Sequence, residues 1–98
     1  MALIVQKYGG TSVGSIERMQ AVARRVIATR AAGNEVMVIV SAMSGETNRL
    51  LDLANKASSR PDARESDVLV ATGEQVSMAL VAMILMEMGQ PARSFLGS

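Results

Sequence analysis

The chain has 98 residues, about the length of one small domain. Hydrophobic residues make up 49% of it, and ten basic against nine acidic residues leave a net charge of +1. That balance excludes a disordered chain and offers no basic face for a nucleic acid. Because cysteine and histidine are both absent, disulfide, thiolate and imidazole chemistry are excluded within these residues.

No targeting or membrane segment is predicted. The apolar residues 1–5 are followed directly by Gln6 and Lys7, which is not the pattern of a signal peptide. The longest apolar run, between Glu74 and Glu87, is shorter than the roughly 20 residues that span a bilayer. We therefore expect a cytoplasmic protein that binds neither membrane nor nucleic acid.

The first half of the chain predicts a strand, a helix and a second strand. Ala2–Tyr8 is apolar and rich in β-formers, and Glu35–Val40 is a second run of the same kind. Between them, Ser15 predicts the N-cap of a helix that ends near Gly33 and Asn34. Near-continuous apolarity in both strands predicts a parallel sheet buried on both faces, with a right-handed βαβ crossover.

The second half predicts mainly helix. Thr47 or Asn48 is expected to cap a helix that continues for about three turns. A short helix over residues 63–71 and a long helix over 74–88 are expected next, separated by a Thr-Gly break. Residues 92–96 then predict a third strand.

These elements predict an α/β protein in which helices cover a mainly parallel sheet. Three strands make a thin sheet of this class, so we expect the chain to be the first part of a larger domain. The methionines of the last helix are expected to fill its core or a subunit interface: Met78, Met83, Met86 and Met88.

The first candidate site is the glycine-rich loop from Lys7 to Gly14, between the first strand and the first helix. Glycines let backbone N–H groups approach an anion, and a helix N-terminus adds oriented donors. In an open parallel sheet this loop lies at the carboxyl edge, where ligands bind. The alternative is a tight turn with a surface lysine, but the position of Lys7 and the hydroxyl side chains favour an anion site.

Two further segments are candidates, although each also has a purely structural explanation. Residues 41–48 place small and hydroxyl side chains at the same edge, but helix capping alone would explain them. Residues 72–75 are expected to start a helix. There Glu74 is either a favourable charge at the helix N-terminus or a ligand for a cationic group such as an amine. For both segments the residues alone favour the structural explanation.

Taken together, the three segments resemble the aspartate kinases of the amino-acid kinase family. Lys7–Val13, K-Y-G-G-T-S-V, matches that family's N-terminal signature, K-[FY]-G-G-[TS]-S. Val40–Asn48 is similar to the second motif of these enzymes, and Thr72–Gln75 to the third, in the same order and spacing. The resemblance implies an amino-acid kinase-like αβα sandwich. Residues 1–98 would be the N-terminal part of its catalytic domain, with regulatory domains outside this chain.

The resemblance also implies a reaction. Such enzymes transfer the γ-phosphoryl group of Mg-ATP to the side-chain carboxylate of L-aspartate, giving 4-phospho-L-aspartate on the way to lysine, threonine and methionine. ATP and aspartate would be the partners of a homo-oligomer, and Mg²⁺ would be held mainly by phosphates, with no protein metal site. An aspartate carboxylate has a pKa of about 3.9, so it is an ionised nucleophile that needs no general base.

Residue roles follow from the family's pattern. Lys7 would be the catalytic residue that contacts the transferring phosphoryl group, and Glu74 would face the amino group of aspartate. Four further residues would lie against the nucleotide phosphates, the glycines through their backbone donors: Tyr8, Gly9, Gly10 and Ser41. Five residues around the start of the second helix would complete the aspartate site: Gly45, Glu46, Thr47, Asn48 and Arg49.

Two alternatives stay open. A related kinase that acts on glutamate or acetylglutamate is disfavoured by the form of the segment Lys7–Ser12. A truncated, non-catalytic α/β module would associate or bind anions without turnover. For residues 1–98 alone we expect no significant activity, because the resemblance implies that they hold only part of a site.

Overall fold

The computed structural model describes residues 1–95. Its elements in chain order are β1 (Leu3–Tyr8), α1 (Ile16–Ala31), β2 (Glu35–Val40), α2 (Glu46–Ala57) and α3 (Ala63–Glu87). The two strands are parallel, with Leu3 opposite Glu35 and Tyr8 opposite Val40. The α/β class and the strand–helix–strand order are therefore confirmed.

The helix between the strands begins and ends where its sequence predicts. The Ser15 hydroxyl accepts a hydrogen bond from the N–H of Arg18 at 3.2 Å and caps the first turn. Gly33, just after the helix, has a φ of +95°, a conformation that favours glycine. This helix packs on the sheet and on α3. The resulting core is aliphatic: Val13, Met19, Val22, Ala23, Val26, Val40, Val81 and Leu85.

The predicted break before Glu74 is wrong, because one continuous helix runs through it from Ala63 to Glu87. Gly73 is buried inside this helix. A Cβ at that position would lie 2.9 Å from the Ala42 Cβ, so the glycine lets α3 approach the segment that follows β2. The glycine that looks like a helix breaker in the sequence serves close packing instead.

The start of α2 also differs from the prediction. Thr47 and Asn48 do not cap this helix but lie within its first turn. The N-cap is Gly45, whose φ of +84° is left-handed and which has no side chain to accept a hydrogen bond. Glycine adopts this conformation without strain, and so the helix begins earlier than the hydroxyl side chains suggest.

No third strand forms within the described residues. Residues 92–95 lie beside β2 but form no ladder with it, and the sheet formed by residues 1–95 contains β1 and β2 alone. Because a strand is defined by its ladder hydrogen bonds, an apolar segment without a ladder is not one. Leu96, the last residue of the predicted strand, lies outside the described residues.

The sheet is covered on one face only within residues 1–95. The helices cover one face. The opposite face carries apolar side chains that are 45–59% exposed: Leu3, Val5, Met37 and Ile39. The prediction of burial on both faces is therefore wrong for the described residues, which supply a single helical layer of a sandwich. By strand alternation, Lys7 lies on this open face.

Helix α3 is long and apolar enough to cross a membrane by length and composition alone. The expectation that its apolar run is too short counted only the residues between Glu74 and Glu87, whereas the helix begins at Ala63 and adds apolar residues before Glu74. The inner side of the helix packs on α1, α2 and β2, with Ser77, Val81 and Leu85 buried. This is the arrangement of a core helix in a folded domain.

Candidate active site

The three motifs come together at the carboxyl edge of the sheet. Ser41 N–H donates to the Tyr8 carbonyl oxygen at 3.0 Å, which extends the pairing of the strands into the loops. Ser44 N–H then donates to the Gly10 oxygen at 3.2 Å and joins the two loops. The third motif arrives through Gly73, which packs against the second loop. Segments far apart in the chain are thereby placed around one edge.

Gly10 and Gly9 have different surroundings in the first loop. A Cβ on Gly10 would lie 2.7 Å from the Ala42 carbonyl oxygen and 3.3 Å from the Ser44 nitrogen. Around Gly9, no atom of the described residues lies within 4 Å of the corresponding position. Gly10 is therefore required for the two loops to touch, whereas Gly9 faces open space, as a backbone contact with a ligand requires.

The start of α2 offers free backbone donors at this edge. Arg49 N–H donates to the Gly45 oxygen at 3.1 Å, which closes the first helical turn. The N–H groups of Thr47 and Asn48 precede that bond and have no acceptor within residues 1–95. Uncapped donors at a helix N-terminus, together with the helix dipole, favour an anion.

Glu46 and Arg49 form an ion pair in this first turn. The Arg49 Nε lies 3.1 Å from each carboxylate oxygen of Glu46. The hydrogen bond from Arg49 is the main cause that lowers the pKa of the Glu46 carboxyl; desolvation opposes it, and the positive charge of Arg49 lowers the pKa further. Reciprocally, the hydrogen bond and charge of Glu46 raise the pKa of Arg49. The pair keeps Glu46 ionised without leaving its charge unbalanced beside the free helix donors.

We expect Arg49→Gln to raise the pKa of Glu46 toward the ordinary value of 4.5, because the substitution removes the group that lowers it. Any stability from the pair is present above 4.5 and is lost as the pH falls through the lowered pKa. An NMR titration of the Glu46 side chain measures this shift, with Arg60→Gln as the control at another exposed arginine. Identical Glu46 titrations in both variants would contradict the ion pair.

Lys7 and Glu74 are charged side chains of the candidate site that form no ion pair within residues 1–95. Both are exposed, and neither forms a side-chain hydrogen bond or ion pair with residues 1–95. Glu74 follows buried Gly73 and precedes buried Ser77 by about one turn, so it lies on the core-facing side of α3, where the helix passes the sheet edge. A lysine and a carboxylate are thus both available to a ligand at this edge.

The Tyr8 side chain lies on the helix-covered face instead. Its hydroxyl donates to the Gln6 Oε1 at 2.7 Å, and the Gln6 Nε2 donates to the Thr29 Oγ1 at 2.8 Å. This chain of hydrogen bonds holds the ring against α1, away from the open loops. A contact of Tyr8 with phosphate stays a prediction, and the backbone of Tyr8, not its ring, would make that contact.

The model of the amino acid kinase family matches residues 2–98. The chain belongs to this family. Among its amino acid kinase relatives, the aspartokinase of Pseudomonas aeruginosa is 58% identical over 98 residues, which cover 100% of this chain and 24% of that protein. The aspartokinase of Mycobacterium tuberculosis is 53% identical over 98 residues, which cover 100% of this chain and 23% of that protein.

A solved structure of an amino acid kinase family member gives the same fold. The crystal structure of an aspartate kinase from Synechocystis is 55% identical, with a TM-score of 0.92 over 95% of this chain and 16% of that one. The expected fold, part of an αβα sandwich, is confirmed. The chain spans about a quarter of the length of the curated relatives it matches, at 23–24%.

Sequence reasoning included two residues in its candidate segments but missed the part that each plays in building this edge of the sheet. Ser44 supplies the N–H that joins the loops, and Gly73 lets α3 approach them. The signal for Gly73 is a glycine inside an otherwise helical apolar pattern, which points to close packing as readily as to a helix end. No side-chain type marks Ser44, because it acts through its backbone.

Proposed function

We propose that the chain is the N-terminal part of the catalytic domain of an aspartate kinase, with regulatory domains outside it. The complete cytoplasmic enzyme would transfer the γ-phosphoryl group of Mg-ATP to the side-chain carboxylate of L-aspartate. The product, 4-phospho-L-aspartate, leads toward lysine, threonine and methionine. The observation that supports this most is the meeting of three motifs at one sheet edge, in a chain whose relatives are named aspartate kinases.

The first loop would bind and stabilise the nucleotide phosphates. The N–H groups of Gly9 and Gly10 would donate to phosphate oxygens, with Ser41 beside them at the end of β2. Lys7 would neutralise the charge that spreads over the transferring group. Phosphoryl transfer depends on positioning and electrostatic stabilisation more than on covalent chemistry, so these are the groups the reaction needs.

The second loop and α3 would hold the acceptor. Glu74 has no ion-pair partner within residues 1–95, and its negative charge is complementary to the positive ammonium group of aspartate. The N–H groups of Thr47 and Asn48, with the rest of the segment Gly45–Arg49, match a carboxylate. The reacting carboxylate is ionised at neutral pH and attacks without a general base, consistent with a chain that lacks histidine.

Mg²⁺ would enter with ATP. Among residues 1–95, no three acidic side chains are grouped closely enough to bind a metal ion. The donors at the edge are N–H groups, hydroxyls and a lysine, which suit phosphate oxygens rather than a cation. The metal would therefore be held mainly by the phosphates and would offset part of their charge.

A chimera tests the proposal. Residues 1–98 would replace the matching segment of the Pseudomonas aeruginosa aspartokinase, and hydroxylamine would trap the acyl phosphate as a hydroxamate. We expect a product that requires both ATP and aspartate. A product with glutamate or acetylglutamate but not aspartate would overturn the substrate. A folded chimera with no product would favour the non-catalytic module. Residues 1–98 alone are expected to show no significant turnover.

A further inference from the structure

Ala42 lies between the glycine-rich loop and α3, close to one glycine of each. A Cβ on Gly10 would lie 2.7 Å from the Ala42 carbonyl oxygen, and a Cβ on Gly73 would lie 2.9 Å from the Ala42 Cβ. Ala42 itself is buried, with only 7% of its surface exposed. A side chain on either glycine would therefore collide with Ala42 and displace the loop or the helix.

The glycine on the helix side of this contact needs a physical reason. Gly73 lies in the interior of α3, where glycine has a lower helix propensity than every residue except proline. Its backbone does not require a glycine, because positive φ angles among the glycines of residues 1–95 occur at other positions: Gly33, Gly45 and Gly89. The close approach of Ala42 is the reason that the structure supplies.

The contact lies where the two parts of the proposed site meet. The glycine-rich loop includes Lys7 and would bind the nucleotide, whereas Gly73 directly precedes Glu74, which would bind the acceptor. A Cβ on Gly73 would also lie 3.5 Å from the Glu46 Cγ, so this point of α3 borders the first turn of α2 as well. Ala42 therefore adjoins the nucleotide side and the acceptor side of the site at once.

We propose that Ala42 is a positioning residue that sets the separation between the bound nucleotide and the acceptor. The proposal rests on the proposed function and adds the device that holds its two half-sites at the right distance. Ala42 acts through Gly10 and Gly73 rather than by touching a substrate. Such a device matters because phosphoryl transfer depends on positioning, and a misplacement of about 1 Å can slow a reaction about 10²-fold.

Gly73→Ala in the chimera should move α3 away from the loop. Carbon atoms pack best at about 3.5–4.0 Å, so a contact of 2.9 Å would push the helix outward by about 0.6–1.1 Å. We expect kcat with aspartate to fall about 10–100-fold. The KM for ATP should stay within about twofold, because the substitution leaves the glycine-rich loop unchanged.

Ala42→Gly should remove most of this effect, because it deletes the methyl group that the new alanine would meet. The next atoms around a Cβ at position 73 are the Glu46 Cγ at 3.5 Å and the Leu50 Cδ1 at 3.6 Å, which are ordinary contacts. Gly73→Ala should therefore lower kcat at least about tenfold in the parent chimera but less than about threefold in the Ala42→Gly background.

The choice of acceptor gives a second readout, which a merely structural role would not move. Glutamate is one methylene group longer than aspartate, so a wider separation should favour it. Gly73→Ala should raise the ratio of glutamate to aspartate turnover about tenfold, and the double variant should return it to the parent value. Asp67→Ala, at an exposed position of the same helix, is the control and should change neither kcat nor this ratio.

Hydroxamate formation by the parent, the two single variants and the double variant measures these effects, with chemical denaturation beside it. An equal loss of kcat from Gly73→Ala in both backgrounds would overturn the positioning role. Lower stability with an unchanged kcat would overturn it too and leave the contact structural. An inactive, folded parent would contradict the proposed function, on which this proposal rests. An active parent with equal losses would contradict the positioning role alone.

Discussion

Lys7→Ala should reduce aspartate-dependent hydroxamate formation by the chimera about 10²–10³-fold, the usual effect of removing one group that stabilises transition-state charge. Lys7 is exposed at the end of β1 and forms no hydrogen bond or ion pair with residues 1–95. Its loss should therefore leave the fold unchanged while removing a positive charge from the site. The rate with saturating ATP and aspartate, beside a thermal denaturation curve, measures the effect.

Lys56→Ala is the matched control for this change. Lys56 is the other lysine of the chain and lies exposed in the last turn of α2, at the end opposite the free helix donors. Its removal should leave the rate within twofold of the parent chimera. Equal rates in the Lys7 and Lys56 variants would remove Lys7 from the catalytic machinery and leave the glycine loop as a structural turn.

Gly10→Ala should lower both the stability and the activity of the chimera. The added Cβ would lie 2.7 Å from the Ala42 carbonyl oxygen, and backbone cannot yield as a flexible side chain can. Overpacking of this kind costs about 1–3 kcal/mol, and here the strain would separate the loops that form the proposed site. Chemical denaturation measures the first effect, and the KM for ATP measures the second.

Gly9→Ala is the comparison that isolates the contact. The position is free of described atoms within 4 Å, so the same added methyl group should change the free energy of unfolding by no more than about 0.5 kcal/mol. If the two alanine variants were equally stable, the close approach of the loops at Gly10 would not exist in solution.

Local signals in the sequence predict the βαβ part of this fold well. Ser15 is a strong N-cap and Gly33 a strong C-terminal signal, so α1 is confirmed at both ends. The apolar run Glu35–Val40 is a strand with those bounds. In these segments the conformation that the local sequence favours is also the one that tertiary packing requires. The local sequence is therefore sufficient to predict them.

Tertiary packing decides the elements that local reasoning missed. Gly73 is unfavourable in a helix by its own propensity, yet α3 continues because the glycine fits against Ala42. Gly45 is the N-cap of α2 and has a left-handed backbone conformation. The sequence instead favours Thr47 or Asn48 as the cap, because their side chains are common at that position. The neighbours that decide such positions are distant in the chain, so a pattern confined to one segment does not reveal them.

The candidate site was predictable as a set of motifs but not as an arrangement. Sequence order placed the first two loops at one sheet edge, and hydrogen bonds from Ser41 and Ser44 now join them. The sequence predicts Glu74 at a helix start, whereas in the structure this residue lies within a continuous helix. Its approach to the edge depends on how α3 crosses the sheet, which composition and spacing do not encode.

A crystal structure of the chimera with Mg-ADP and L-aspartate tests the central claim most directly. The claim predicts phosphate oxygens within hydrogen-bond distance of the Lys7 Nζ and the Gly9 N–H, with aspartate between Glu74 and the start of α2. A nucleotide bound elsewhere, such as the cleft beside Arg18 and Arg25 on α1, with both loops empty, would contradict it.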